Sequence, residues 1–507
     1  MTATSETPVI TAGVPANEGR LGFGTKMFYG VGSVAFGAAS LGLSAGVLQP
    51  YLNRVIGLPA LWVSAAIMLT LMADAILDPI IGQWSDNLRS RWGRRHPFMY
   101  VAIPLIGITV YLFWNSPQLP LVTLGFYLIG MLVLMRISIS LFEVPNAAMA
   151  PELTSDYHER TVLLSFRYFF GVLAPVVMTF LLYRVFLSGP EGVLSRDGYA
   201  AYGVVSACVM VLFVSISALG THRLISRMPK PAVRPVTLAT TLREMKVTLT
   251  NRSLLTVMCS GLLSGIATGM SSSLTQYFQI ELWRLQPAQI AFLAPAGLLG
   301  TVVAVFLATP VSKAFGKKRA MISLFSIGFI TSLIPLTLRL MGLLPGDGTP
   351  LVFWVLFIDS VIVSALGIGG YIVVASMIAD VVEDAAVKSG VRSEGLLLAA
   401  NGLLPKFTAG IGVFTAGILL TVVQFPQGVG QGQVDPAVMR HLALIYLPVS
   451  AVMTALAIGV LSFYRIDKDT HERNVATLRD AATAAAAAAD LGQETGSPSD
   501  GRPSGPA

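Results

Sequence analysis

The sequence predicts an all-α membrane protein of twelve transmembrane helices in two six-helix halves. Three observations carry that expectation. The composition is 54% hydrophobic and only 12% charged over 507 residues, where a soluble domain carries about 25% charge. Mean hydropathy is +0.70. Apolar runs of about 20 residues, enough to cross a bilayer, recur along the chain, and the loops between them alternate between rich and poor in Lys and Arg.

The apolar runs lie at roughly 27–49, 60–83, 97–115, 119–145, 162–187, 199–220, 253–275, 288–309, 320–341, 350–376, 395–424 and 441–464. One set of loops is basic. It holds Arg89, Arg91, Arg94 and Arg95, then Arg223 to Arg252, then Lys313, Lys317, Lys318 and Arg319. The tail after the last run adds Arg465, Lys468 and Arg473. The alternate loops near 115–120 and Asp347 lack base. Lys and Arg mark the cytoplasmic side, so both termini are expected there, in a bacterial inner membrane. The formal net charge of +7 therefore reads as a topology signal and not as nucleic-acid binding.

The resulting division is a disordered cytoplasmic N-terminus at 1–25, a six-helix bundle at 26–220 and a cytoplasmic loop at 221–252. A second bundle follows at 253–465, then a largely disordered tail at 466–507 with an Ala run at 481–489. The first 25 residues lack an apolar core with a small-residue cleavage site, so no cleaved signal peptide is expected. Cys208 and Cys259 lie in apolar runs and read as buried small side chains, not as a disulfide.

The two halves echo one another. Arg91-Trp-Gly-Arg-Arg95 follows span 2 and Ala314-Phe-Gly-Lys-Lys318 follows span 8. Any cytoplasmic turn collects Gly and base, but here the position repeats. Two six-span repeats about a long loop is the layout of major-facilitator transporters, with a substrate site near the midplane between halves.

Seven ionisable residues fall within the spans and away from their outer ends: Asp74 and Asp78 on span 2, Arg136 and Glu143 on span 4, Arg167 on span 5, Asp359 on span 10 and Lys406 on span 11. Charges there are costly and mark function by default. Asp74 and Asp78 share a helix face, as do Arg136 and Glu143. Four acids against three bases leave one negative charge, which a proton or a cation must compensate. Asp74, Asp78 and Glu143 lie at similar depth and supply the oxygens that Na⁺ would need. The plainer alternative is helix-locking ion pairs, with Glu143 the ready partner of Arg136. Asp359 has no evident partner, and Arg167 is near enough to the span end to snorkel. The five histidines lie in loops, tails or span ends without metal-ligand spacing. An enzyme is not expected, nor any cofactor beyond a coupling ion.

Three stretches resemble the glycoside–pentoside–hexuronide:cation symporter family. They are Asp74-Ala-Ile-Leu-Asp78-Pro-Ile-Ile-Gly82 running to Arg91-Trp-Gly-Arg-Arg-His-Pro-Phe98, then Glu143-Val-Pro-Asn-Ala-Ala-Met-Ala-Pro-Glu-Leu to Arg167, then Ala379-Asp380-Val-Val-Glu383 through Gly395 to Asn401 and Lys406. The resemblance implies a symporter with Asp74, Asp78 and Glu143 as cation ligands, and a metal site at Asp74 and Asp78 if the ion is Na⁺. It implies Arg167, Asn401 and Lys406 at the substrate, with Tyr371 in place of a sugar-stacking Trp of the family's best-known member. That member's first-span Asp, which binds galactoside hydroxyls, aligns with Gly37, and Met27 to Gln49 carry no charge. Arg136 would then suit an anionic substrate or merely neutralise Glu143. Asp86, Arg91, Arg94 and Arg95 resemble the major-facilitator loop that latches helix ends. The expectation is a monomeric H⁺- or Na⁺-coupled carrier of a sugar or glycoside embedded in lipid. The alternative is a same-fold carrier of a lysolipid or amphipathic metabolite.

Overall fold

The computed structural model describes residues 21–154, 156–189, 191–225, 252–344, 349–389, 403–428 and 433–463. Among these, long helices account for all twelve expected spans and no strand occurs. Span 1 is broken: Phe23–Gly42 and Ala45–Val55 meet at a 42° bend, where Leu43 and Ser44 interrupt the helix. Spans 2 to 6 are Ala60–Asn87, His96–Trp114, Leu121–Ala148, Tyr157–Phe180 and Arg196–His222. Spans 7 to 12 are Arg252–Tyr277, Pro287–Phe315, Lys317–Leu340, Pro350–Ser389, Leu404–Val422 and Pro436–Leu461. Among the described residues, ten helices are long and apolar enough to cross a membrane, and the bent pair of span 1 makes an eleventh. Span 7 completes the set, with a C-terminal half rich in hydroxyls: Thr268, Ser271, Ser272, Ser273 and Thr275.

Helices run past the apolar stretches read from sequence. Span 1 starts at Phe23, inside the segment expected to be disordered. Spans 1, 5 and 7 end in π-helical turns at Tyr51–Val55, Leu181–Phe186 and Phe278–Leu282. Polar residues in these turns shorten the hydropathy signal while helical hydrogen bonding continues through them. Cys208 and Cys259 are free and exposed, which corrects the expectation of buried thiols: a small, weakly polar thiol is tolerated on the outside of an apolar helix. Residues 1–20, 226–251 and 464–507, and Asn401, lie outside the described residues, as do the side chains of Asp380 and Glu383.

Each half repeats one packing scheme. Span 1 packs on spans 5 and 6, span 2 on span 4, and span 3 on spans 4 and 6. Span 7 packs likewise on 11 and 12, span 8 on 10, and span 9 on 10 and 12. The sequence echo has a backbone counterpart, because Gly93 and Gly316 both take positive φ, +75° and +78°. A residue with a Cβ would be strained at either turn.

The N-terminal half fills its interior with rings. Trp114 stacks on Tyr199 at 5.6 Å and meets Tyr202 edge-on at 5.7 Å, and Tyr29, Phe113 and Phe142 are also buried. Between the halves, span 2 lies along span 11, span 8 against span 5, and the second segment of span 1 against span 7. Glycine permits the closest approach: a Cβ on Gly417 would stand 1.8 Å from Ser64 Oγ.

An ion-pair network between the halves

The intramembrane charges gather from four helices. Lys406 Nζ, at the start of span 11, reaches across to span 2 and contacts Asp74 Oδ2 at 2.7 Å and Asp78 Oδ2 at 2.5 Å. The i, i+4 spacing of the two aspartates puts both carboxylates in range of one ammonium. Asp74 is buried. It also accepts from Ser140 Oγ at 3.0 Å and lies 3.5 Å from Arg136 Nη1. Glu143 pairs with Arg167, whose other terminal nitrogen donates to Tyr29 Oη at 3.3 Å.

This arrangement corrects the pairing read from sequence. Arg136 and Glu143 share a helix face, yet Arg136 turns to Asp74 on span 2 and Glu143 to Arg167 on span 5. Arg167 does not snorkel to the interface. Periodicity fixes a face but not the helix that face meets. The charge count changes too. Asp74, Asp78 and Glu143 stand against Arg136, Arg167 and Lys406, so the network balances without an ion. The unmatched fourth acid is Asp359 on span 10, whose buried Oδ1 has no hydrogen-bond partner. No group of three acidic, His or Cys side chains able to hold a metal occurs among the described residues.

The donor set nevertheless suits a small cation. Asp78 Oδ1 and Glu143 Oε2 are buried oxygens without a hydrogen-bond partner, so each keeps lone pairs for a proton or a hard cation.

Sequence reasoning missed three groups here. Ser140 holds Asp74, Tyr29 holds Arg167, and Asn146 is fully buried with both amide atoms unpartnered. The signal was present on span 4. Arg136, Ser140, Glu143 and Asn146 follow at steps of four, three and three, one polar stripe down an otherwise apolar helix.

Other expected residues fall elsewhere. Tyr371 is half exposed and packs edge-on against Phe325 of span 9 at 5.4 Å. In the basic turn, Arg95 is buried. It binds Asp86 at 2.5 Å, Glu152 at 2.8 Å and Ser85 Oγ at 2.8 Å, and Arg94 also binds Glu152. These bonds tie span 2 to the turn after span 4, all within one half. Arg91 stacks over Trp92.

On the side opposite the basic loops, a second contact joins the halves. Arg54 and Glu281 form an ion pair with both side chains only 1% exposed. Tyr277 Oη donates to Asn53 Oδ1 at 3.1 Å, and Gln276 Nε2 to Tyr183 Oη at 2.5 Å.

The sequence profile of the MFS/sugar transport protein family matches residues 28–468. The chain belongs to this family. It is 24% identical to the isoprimeverose transporter of Lactiplantibacillus pentosus over 85% of this chain and 86% of that protein. Over a shorter stretch, 31% of each chain, it is 31% identical to the sphingosine-1-phosphate transporter MFSD2B of Mus musculus. Among solved structures, a D-xylose-proton symporter superposes with a TM-score of 0.60 at 16% identity, covering 88% of this chain and 98% of that one. At that identity the likeness establishes the fold. The protein is thus a multi-pass membrane transporter of the major-facilitator type.

Proposed function

We propose that this transporter is a symporter that couples uptake of a neutral sugar or glycoside to entry of H⁺ or Na⁺, with both termini in the cytoplasm. The observation that carries the reading is Lys406, one ammonium from the C-terminal half held between two carboxylates of the N-terminal half. A proton or Na⁺ at Asp74 and Asp78 competes with that ammonium. Ion arrival therefore frees Lys406, loosens span 11 from span 2 and biases the pair of states used in alternating access. Linkage then requires that sugar raise cation affinity by the same factor that the cation raises sugar affinity. Arg167, Tyr29 and Asn146 supply donors toward substrate beside Glu143. Arg136, held by Asp74, acts within the ion site.

Asp78→Asn tests this. Vesicles carrying the variant should exchange labelled sugar down its gradient yet fail to accumulate it under an imposed Na⁺ or pH gradient. Accumulation at the wild-type level would overturn the cation assignment.

A second reading, transport of a lysolipid, draws on the similarity to the sphingosine-1-phosphate transporter in one third of the chain. Proteoliposomes offered a panel of labelled sugars and lysophospholipids separate the two: lysolipid movement without sugar movement favours the second.

A further inference from the structure

The C-terminal half contains a cavity of about 360 Å³. Span 7 supplies one wall with Ser264, Thr268, Ser271, Ser272 and Thr275. Spans 9, 10 and 12 complete it, chiefly through Phe325, Ser332, Gly367, Tyr371, Ser450 and Thr454. Among the described residues, no ionisable side chain other than the phenols lines it. From this lining we infer that the cavity is a subsite for one uncharged, polyhydroxylated ring of the substrate, separate from the ion-pair network. The inference rests on the sugar-carrier reading above.

The hydroxyls define the ligand's chemistry. Thr268 donates to Ser264 O at 2.9 Å, Ser272 to Gly269 O at 3.0 Å and Thr275 to Ser271 O at 2.7 Å. Ser332 and Ser450 donate to Phe329 O and Leu447 O in the same way. Each hydroxyl proton is thus spent on its own helix, and each oxygen retains acceptor capacity. Five such acceptors beside the phenols of Tyr371 and Tyr446 suit a ligand whose own groups both donate and accept. The absence of a charged partner in the lining excludes an ionic one, since an unpaired charge is costly in such surroundings. The rings of Phe325 and Tyr371 meet edge-on, which leaves an apolar surface for the C–H face of a sugar ring. The volume lies near the lower end of small-ligand pockets, about 300–1,000 Å³.

The cavity's location separates it from the ions without isolating it. Gly265 of span 7 packs on Thr408, two residues beyond Lys406, where an added Cβ would stand 2.0 Å from Thr408 Oγ1. The hydroxyl wall thus begins level with the ion pairs, on the other side of the contact between spans 7 and 11. Thr268, Ser272 and Thr275 are exposed.

Cysteine protection tests the assignment. In a Cys208→Ser/Cys259→Ser background, Thr268→Cys and Thr454→Cys report on the cavity and Ser140→Cys on the ion-pair network. Each is labelled with N-ethylmaleimide in nanodiscs, with methyl glucoside, methyl galactoside, methyl xyloside, lactose or lysophosphatidylcholine as probe. The sugar that wild-type vesicles transport should slow labelling at Thr268→Cys and Thr454→Cys. Gly367→Leu should remove that protection and weaken sugar binding by about tenfold or more. It fills the cavity from a position where a Cβ meets nothing within 4 Å. Protection at Ser140→Cys alone, or cavity thiols that never label, would overturn the subsite while leaving the carrier intact. Protection of the cavity thiols by lysophosphatidylcholine and by no sugar would overturn it too. If wild-type vesicles transport no sugar at all, it is the symporter reading that fails.

Discussion

The two halves share a helix packing scheme and differ in what they put inside it. The N-terminal half holds five of the six paired charges and a tight aromatic interior. The C-terminal half contributes one ammonium to that network and keeps a hydroxyl-lined hollow. Where Trp114 and Gly203 press together, so that a Cβ on Gly203 would lie 2.2 Å from Trp114 Cβ, the C-terminal half has Gly367 open to space. The difference teaches that a repeated fold need not repeat its chemistry. One half can concentrate paired charge while the other keeps a hydroxyl-lined hollow.

The largest expected effect lies where the halves meet. Glu281→Ala leaves Arg54 buried without its carboxylate, and breaking such a pair costs about 3–5 kcal/mol. Because the pair joins the two halves, the loss falls on the state in which that side is closed. A cysteine at Gln276 should become reactive to a membrane-impermeant thiol reagent, and the double variant Arg54→Leu/Glu281→Leu should recover much of the closed population. No change in reactivity would mean the contact does not hold that side shut.

Lys406→Gln comes next. It removes the contribution that the described residues of the C-terminal half make to the network and exposes Asp74 and Asp78 to each other. Loss of hydrogen bonds to charged groups costs about 1.5–3 kcal/mol, so gradient-driven uptake should fall by about ten- to a hundredfold. Asp78→Asn added to Lys406→Gln should restore folded yield but not accumulation. Unchanged uptake in the single variant would remove the ammonium from the mechanism.

Matched glycine substitutions probe the comparison directly. Gly203→Ala drives a methyl into Trp114 and should cost about 1–3 kcal/mol by overpacking, read as a lower thermal midpoint in detergent. Gly367→Ala meets no atom and gains helix propensity, so it should be neutral or stabilising by under about 1 kcal/mol. Equal effects at both positions would mean that the two interiors are packed alike. A modest change is expected from Ser140→Ala, which deletes one hydrogen bond to Asp74. It should cost about 0.5–1.5 kcal/mol and lower apparent cation affinity without altering the maximal rate.

Much of the fold was legible because a bilayer permits few solutions. Runs near 20 residues, alternating basic loops and the aromatic-Gly-base-base echo gave twelve helices in two halves, and Gly93 and Gly316 bear out the echo in their backbone angles. The ionisable residues were legible because charge is rare in spans. Their partners were not. Arg136 could be assigned a face but not a neighbour, and Glu152, which anchors Arg94 and Arg95, sat outside the runs. Arg54 and Glu281 were passed over for a related reason. Hydropathy ends a span at its first polar cluster, whereas the helix continues as long as its carbonyls find amides. Ser140, Tyr29 and Asn146 were hidden by being neutral, since a search keyed to charge ignores the hydroxyls and amides that orient it.

The π-helical turns at the ends of spans 1, 5 and 7 bear on how such a contact could arise. A π turn is an α-helix with one residue too many, and each residue of an α-helix advances the direction of its side chain by about 100°. A single inserted codon in a span can therefore swing a polar side chain from the surface to an interface without unravelling the helix around it. Arg54 and Glu281 lie in two such turns and Tyr183 in the third. Deleting one residue from the turn at Phe278–Leu282 would regularise the helix and turn Glu281 away from Arg54. The seal between the halves is thus within reach of a single insertion or deletion event, a route to new gating that point substitution does not offer.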